Sequence, residues 1–396
     1  MSETHRVGSR LPVVPAAGVL IGIVLCLVGA TIDVRRAAAA YLVAYVAGLG
    51  VALGALAMIM IARLTAATWF VALRRQAEQI AATLPALAVL FLPVLLAVRV
   101  LYPWAALVDS SALDATVRAK SAYLNLPFFV VRAIVYWAIW IGFSQALRHA
   151  SLAQDAGDSP ALERRLRMLS AVGIVAFALS ITFASFDWMM SLAPTWYSTI
   201  YGVDFFAGAM VGGLALLAIL VARGRRQGEL TECVGVEHMH ALAKLLLTFV
   251  LFWVYIGFSQ FIVIWSAEIP IESSWYVTRT RGGWAALGAV LVLGHFALPF
   301  CLLVVRAVKR SIGGMALLGG WLLVMHYLDC YWMVMPDASG ASMHGIFGHV
   351  LDLGAVLVVA GVGSLAWAGH HTGEPAIARG DPEIKASLDY STSAAL

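Results

Sequence analysis

Charge and cysteine are both scarce in this chain. Charged residues make up 12% of its 396 residues, whereas 62% are hydrophobic, and the mean hydropathy is +0.88. No soluble domain needs so much apolar surface, so the composition excludes an ordinary soluble protein. The four cysteines (Cys26, Cys233, Cys301 and Cys330) never form a Cys-x-x-Cys pair, which leaves no recognisable iron–sulfur, zinc or c-type haem site.

Nucleotide-binding signatures are also missing. The sequence has no Rossmann glycine fingerprint and no P-loop. We therefore expect no bound metal and no covalently or cysteine-held cofactor. The basic loops indicate membrane topology rather than nucleic-acid binding, so no nucleic-acid partner is expected.

Long hydrophobic runs take the place of these motifs. Each run is long enough for the roughly 20 residues that cross a bilayer as a helix. Helix is favoured because backbone groups in lipid must be satisfied within the segment. The sequence predicts an all-α polytopic membrane protein with ten transmembrane segments, at about 13–32, 38–62, 84–101, 128–147, 168–192, 200–222, 240–266, 284–306, 312–334 and 346–368.

Basic residues are distributed unevenly between the two ends of these segments. Seventeen Lys and Arg residues fall on the side of the termini and seven on the other side. The positive-inside rule then places both termini in the cytoplasm of a bacterial inner membrane. The predicted organisation is a cytoplasmic lead (1–12), a ten-helix membrane domain (13–368) and a flexible cytoplasmic tail (369–396). The first segment is expected to be a retained helix, and the segment 63–83 to lie in the membrane interface.

A short motif occurs twice. Asp187 to Pro194 and Asp329 to Pro336 both have the form Asp-x6-Pro with Trp and Met between, near the ends of the fifth and ninth segments. These two segments run in the same direction. The sequence therefore predicts a duplicated unit, with four-helix bundles formed by segments 2–5 and 6–9 and further helices flanking them.

Ionisable side chains at membrane depth are the candidate site residues: Asp187, His295, His326 and Asp329. Such groups are costly in lipid and usually face a cavity, a partner or a transport path. His326 and Asp329 are three residues apart and share one helix face. The group could accept protons from a quinol, form half of a proton path, or only link helices by hydrogen bonds.

Further polar residues accompany them. Arg132 is expected either to pair with one of the acids or to extend its side chain to the interface. His295 and His326 could also be axial ligands of a haem b, which two isolated histidines support only weakly. His349 and Asp352 repeat the three-residue spacing near the outer end of the last segment.

Several longer motifs carry a family resemblance. They are Ser185–Gly202 (SFDWMMSLAPTWYSTIYG), Lys244–Gln260 (KLLLTFVLFWVYIGFSQ), Ile269–Tyr276 (IPIESSWY), Gly294–Pro299 (GHFALP) and Asp329–Pro336 (DCYWMVMP). In these motifs the chain resembles the integral-membrane F subunits of alternative complex III, a quinol:cytochrome c oxidoreductase. Those subunits are of the polysulfide-reductase membrane-subunit (NrfD-like) family. The likeness is good over segments four to ten and loose over the first three.

The resemblance implies a function within a larger complex. Its implied partners are a homologous membrane protein (the C subunit of such complexes), an iron–sulfur protein, c-type cytochromes and lipid, with haem and iron–sulfur clusters on the partners. It implies quinone or quinol as the possible ligand, and a proton-path role for Asp187, His326 and Asp329 at least as readily as quinol binding. Two other functions stay open at this stage, a non-catalytic scaffold subunit and a secondary transporter.

Overall fold

A computed structural model describes residues 13–106, 114–157, 160–339 and 346–391, so the predicted lead 1–12 lies outside the described residues. Within these residues, two 3-10 turns (Thr68–Phe70 and Met190–Leu192) and one π-helical segment (Val292–Ala297) lie between the α-helices. In chain order the α-helices are α1 (Val13–Ile32), α2 (Val34–Leu64), α3 (Val71–Ala81), α4 (Leu84–Val89), α5 (Leu92–Leu96), α6 (Val98–Leu101), α7 (Pro103–Ala106), α8 (Ala115–Ala119), α9 (Leu126–Ala156), α10 (Pro160–Trp188), α11 (Tyr201–Arg226), α12 (Val236–Ala267), α13 (Pro270–Arg279), α14 (Gly282–Leu291), α15 (Leu298–Val304), α16 (Arg306–Lys309), α17 (Ile312–Ser339), α18 (Ile346–His371) and α19 (Ile384–Leu388).

Ten helical stretches in the described part of the chain are long and apolar enough to cross a membrane. The predicted all-α polytopic membrane fold is therefore confirmed. The stretches are Val13–Ile32, Val34–Leu64, Thr68–Leu96, Leu126–Ala156, Pro160–Leu192, Tyr201–Arg226, Val236–Ala267, Gly282–Val304, Ile312–Ala338 and Gly348–His371.

The second span lies at the centre of the molecule. In the most apolar window of α2, 89% of residues are buried, against 11% for α1. α2 packs against α10, α11, α17 and α18. A span that is apolar all round and buried all round is a core helix, whereas α1 presents most of its apolar surface outward.

Helices within each predicted bundle pack together, and α2 packs most extensively on a helix of the other bundle, α11. α2, α3, α9 and α10 pack among themselves, as do α11, α12, α14, α15 and α17, and α2 joins the two groups by packing on α11 and α17. α1 lies antiparallel to α18, since Gly18 faces Leu357 and Gly29 faces Leu351. Val13 and His371 are thus at the same end of the bundle, which we call the terminal face.

The third span differs from its prediction. It begins at Thr68 rather than 84, and every residue of α3 is buried against other parts of the protein. Hydropathy did not predict α3 because this helix contains Arg74, Arg75 and Glu78. In the structure Glu78 pairs with both arginines, and Arg75 also pairs with Asp155. Further along, Pro85, Pro93 and Pro103 lie at helix starts and divide the rest of the stretch into short helices.

The described part of the tail packs on the helices. α18 continues to His371, and residues 372–391 fold back over the terminal face. Asp381 is paired with Arg74 at 2.5 Å, and the backbone N–H of Gly380 donates to Asp155 at 2.9 Å. The tail thus contacts the helices through charged groups, since Asp381 pairs with Arg74 of α3 and Glu374 with Arg148 of α9.

Candidate functional site

Three of the four predicted site residues meet in one place. His295, His326 and Asp329 lie together with Trp253 and Asp204 between α11, α12, α17 and the π-helical segment. We call these five residues the buried polar cluster. Asp187 does not join it and has its own partners. The sequence therefore predicted most of the cluster, but not its separation from Asp187.

Helical spacing puts His326 and Asp329 on one face of α17, as expected. That face meets α11, where a β-carbon on Gly208 would lie 3.1 Å from Asp329 Oδ2 and 3.4 Å from His326 Nδ1. A β-carbon on Gly212 would lie 2.9 Å from the His326 ring, and one on Gly50 of α2 would lie 3.0 Å from its Nε2. The imidazole fits between α2 and α11 only because these positions have no side chain.

The hydrogen bond of His326 fixes its tautomer. Its Nε2 lies 3.2 Å from the carbonyl oxygen of Ala47. A ring nitrogen can bond to a carbonyl only as a donor, so Nε2 carries the hydrogen and Nδ1 presents a lone pair. Nδ1 is buried and has no partner within the described residues. His326 can therefore accept a proton on the side that faces Gly208 and Asp329.

Trp253 connects Asp329 to His295. Its Nε1–H donates to Asp329 Oδ2 at 3.1 Å, and its ring is stacked on His295 with centroids 4.1 Å apart. Both ring nitrogens of His295 are buried and have no partner among the described residues. An imidazole without any hydrogen bond is unusual for a buried polar group, since such groups are nearly always paired.

The π-helical segment positions His295. Pro299 has no N–H to donate to the carbonyl of His295, four residues earlier. The regular α-helical hydrogen bonding is therefore interrupted at this point. The carbonyl oxygen of Gly294 accepts a hydrogen bond from Trp321 Nε1 at 2.7 Å instead. Single π-turns inside α-helices often occur at functional sites, and this one orients the imidazole of His295 toward the cluster.

Asp204 supplies a second carboxyl group. It lies in the first turn of α11, and it interacts electrostatically with Asp329. Its Oδ1 is buried and has no partner in the described structure. The cluster therefore contains two carboxyl groups and two imidazoles but no arginine or lysine to neutralise them. A cluster of this kind can hold and transfer protons.

Asp187 has an ordinary structural environment. Arg132 binds it with two hydrogen bonds of 2.7 and 2.9 Å, and Tyr136 donates a third at 2.8 Å. The guanidinium of Arg132 is stacked on Tyr123, 3.8 Å from the ring centroid, and on Phe128, 4.3 Å from it. The prediction that Arg132 pairs with an acid is confirmed. With three donors, Asp187 is well satisfied and acts as a link between α9 and α10.

A similar link closes the face opposite the terminal face. Arg36, at the start of α2, donates to Asp352 at 2.7 Å and to the carbonyl of Gly348 at 2.8 Å. His349 lies 3.4 Å from the same carboxylate, so the three-residue spacing on α18 does bring the two together. This group joins α2 to α18 and is separate from the buried polar cluster.

A cavity of about 620 Å³ lies beside His326. It runs between α2, α11, α17 and α18 from His326 and Tyr327 to Arg223 and Trp367 at the terminal face. Nearly all other residues of its wall are aliphatic. No sequence pattern indicates this cavity, because its wall residues come from helices far apart in the chain.

Two cluster residues escaped the sequence prediction of the site. Asp204 was visible as an acid near a helix end, and Trp253 as one of 13 tryptophans, and neither has a local pattern that marks it. No group of three His, Cys, Asp or Glu residues that could hold a metal ion occurs in residues 13–106, 114–157, 160–339 and 346–391.

Comparison with known proteins identified no family. No protein-family model matches the chain, and no curated protein matches it. The resemblance to alternative complex III therefore depends on the quoted motifs alone.

Proposed function

We propose that this chain is an integral membrane subunit of a quinol:electron-acceptor oxidoreductase complex, with a c-type cytochrome as acceptor. In this proposal the buried polar cluster takes up protons released by quinol oxidation and passes them on. The redox centres belong to partner proteins, an iron–sulfur protein and c-type cytochromes, beside a homologous membrane protein. The complex lies in a bacterial inner membrane with the terminal face of this chain in the cytoplasm, as the excess of basic residues on that side supports.

The observation that carries the proposal is the set of unpartnered proton-binding atoms in the buried polar cluster. His295 Nδ1 and Nε2, His326 Nδ1 and Asp204 Oδ1 are all buried and have no protein partner in the described residues. In a purely structural group we would expect each of these atoms to have a hydrogen-bond partner, since an unsatisfied buried polar atom lowers the free energy of unfolding by about 1–3 kcal/mol. Atoms left open at membrane depth are what a proton path requires.

The chemistry balances across the complex. Oxidation of one quinol to quinone releases two electrons and two protons. The electrons leave through haem and iron–sulfur centres, for which this chain has no ligand motif. The protons need acceptors near the quinol, and a carboxyl–imidazole cluster is suited to that role.

Mild-detergent purification tests membership of the complex. We expect the chain to co-elute with haem absorbance and iron–sulfur paramagnetic signals. A chain that elutes alone, without redox-active partners, would contradict the proposal and support a secondary transporter.

Substitution of a cluster acid tests the proton role. We expect Asp329→Asn to leave the haem content of the purified complex unchanged while quinol-driven proton release falls at least tenfold. Glu268→Gln is the matched control, because Glu268 is an exposed acid at the end of α12, outside the cluster. Equal proton release in both variants would exclude a proton path through the cluster.

A scaffold role is the second candidate, and the ion pairs favour it. Arg132–Asp187 and Arg36–Asp352 are both buried and join helices without leaving a free carboxylate oxygen for a substrate. If Asp329→Asn has normal activity but Arg132→Leu prevents assembly, the scaffold role replaces the proton role.

A further inference from the structure

The cavity beside His326 has the shape and wall of a site for one hydrocarbon chain. Its wall on α18 extends from Val356 to Ala368, which is about 18 Å at a rise of 1.5 Å per residue. One leaflet of a bilayer core is about 15 Å thick, so the cavity spans the leaflet on the terminal side. Aliphatic walls of this kind keep water out, so the site is suited to an apolar occupant.

The deep end of the cavity has few polar groups, which belong to His326 and Tyr327. His326 directs Nε2 to the carbonyl of Ala47, and its Nδ1 faces Gly208 and Asp329. The hydroxyl of Tyr327 is buried and has no hydrogen-bond partner in the described residues. Arg223, the charged residue of the described wall, lies at the other end, so a charged headgroup at the deep end would be buried without a counter-charge.

The mouth of the cavity is polar and positively charged. Arg223 is exposed there, its guanidinium lies 5.0 Å from the centroid of the Trp367 ring, and no carboxylate of the described residues pairs with it. The Nε1 of Trp367 is buried and has no acceptor within the described structure, although an indole N–H can only donate. The mouth therefore provides one cation and one hydrogen-bond donor at headgroup depth.

We propose that the cavity binds one anionic phospholipid from the leaflet on the terminal side. The lipid phosphate lies against Arg223, an ester carbonyl accepts a hydrogen bond from Trp367 Nε1, and one acyl chain fills the cavity as far as His326. The acyl chain then separates His326 from water at the terminal face. This binding site does not depend on the redox role of the complex.

Native mass spectrometry of the full-length protein purified from phosphatidylglycerol-containing vesicles tests the proposal. We expect one phosphatidylglycerol to be retained per chain. Phosphatidylcholine, which has the same chains and no net charge, should be retained about fivefold less, as about 1 kcal/mol per basic residue would give.

Two variants, each with a matched control, identify the site. Gly363→Phe should lower retention at least tenfold, because Gly363 lines the cavity with open space at its β-position. Gly142→Phe is the matched control, since that glycine also has open space but lies on α9 away from the cavity. Arg223→Gln should remove the preference for phosphatidylglycerol, whereas Arg226→Gln, at the same helix end but not in the cavity wall, should keep it.

A labelled lipid tests how deeply the acyl chain enters the cavity of the unaltered protein, independently of how the variants fold. Phosphatidylglycerol with a diazirine near the end of one acyl chain should cross-link to peptides that contain Ala47 or His326. Cross-links confined to outward-facing residues such as Val172, or equal retention in Gly363→Phe and Gly142→Phe, would overturn the proposal. So would a stoichiometric neutral prenyl lipid in the place of phospholipid.

Discussion

Asp187 and Asp329 occupy the same position in two copies of one motif, yet their partners differ. Asp187 accepts two hydrogen bonds from Arg132 and one from Tyr136. Asp329 accepts one from Trp253 and lies near a second acid. At the scale of single residues, the chemistry of each carboxyl group is therefore set by whether a neighbouring helix presents an arginine.

Loss of Arg132 should destabilise the fold. Arg132→Leu leaves Asp187 buried without its cation, and breaking a buried pair from one side costs about 3–5 kcal/mol. We expect a clear fall in the midpoint of thermal unfolding in detergent, followed by near-ultraviolet circular dichroism. The double variant Arg132→Met with Asp187→Leu should recover most of this loss, because no unpaired charge remains. An unchanged midpoint in Arg132→Leu would contradict the structural role.

Trp253 should control the environment of the Asp329 carboxyl group. Trp253→Phe keeps an aromatic ring against His295 but removes the donor to Asp329. We expect the infrared carboxyl band of Asp329, identified by its absence in Asp329→Asn, to shift in this variant. Trp140→Phe removes a donor to the neutral Ser180 hydroxyl and should leave the band in place. A band that stays fixed in Trp253→Phe would show that the hydrogen bond is absent.

At the scale of helices, a seam of glycines decides how closely α2 and α11 approach. Gly54 of α2 lies against the backbone of Ala209 and Gly213 of α11, while Gly50 of α2 and Gly212 of α11 both face the ring of His326. This close approach forms two walls around the imidazole of His326. Glycine is unfavourable inside a helix by about 1 kcal/mol relative to alanine, so packing must be the reason for it here.

Gly54→Ala should separate these two helices. A β-carbon at this position would lie 2.1 Å from the carbonyl oxygen of Ala209, a backbone atom that cannot rotate away. We expect destabilisation of about 1–3 kcal/mol or more from overpacking. Gly142→Ala has the same propensity gain and open space around it, so it should be neutral or stabilising. Thermal unfolding of both proteins in detergent gives the comparison, and equal midpoints would argue against a tight α2–α11 contact.

At the scale of the whole molecule, contacts of the tail join the helices at the terminal face. The Oγ of Ser387 accepts from the N–H of Ala72, and its carbonyl lies 2.8 Å from His238 Nε2. Together with the Arg74–Asp381 pair, these contacts join α3, α12 and the tail. The end of the chain therefore covers charged groups of α3 that would otherwise face the membrane boundary.

Asp381→Asn should release the tail. The substitution removes the charge partner of Arg74, and a loss of about 1.4 kcal/mol in docking would make opening about tenfold more frequent. Trypsin should then cut after Arg379 about tenfold faster, which gel electrophoresis of the digest can follow. Asp389→Asn is the control, because Asp389 is exposed and has no ion pair in the described residues. Equal rates in the two variants would show that the ion pair does not hold the tail.

The pattern of hydropathy was sufficient to predict the number of spans, since each helix that crosses the lipid needs about 20 apolar residues whatever its neighbours are. It failed for α3, where charged residues are buried in pairs. Hydropathy counts each charge by itself, and only the folded chain shows that Arg74, Arg75 and Glu78 compensate one another and the tail.

The sequence by itself determined the class of the protein, the ten spans and the presence of acids and imidazoles at membrane depth. Only the tertiary structure decided which of them share a site, because residues on different helices meet through packing that no local pattern records. Thus His326 and Asp329 were predictable as a pair from their three-residue spacing. The places of Trp253 and Asp204 in the cluster, the isolation of Asp187 and the cavity became visible only when α2, α11, α12 and α17 were in place.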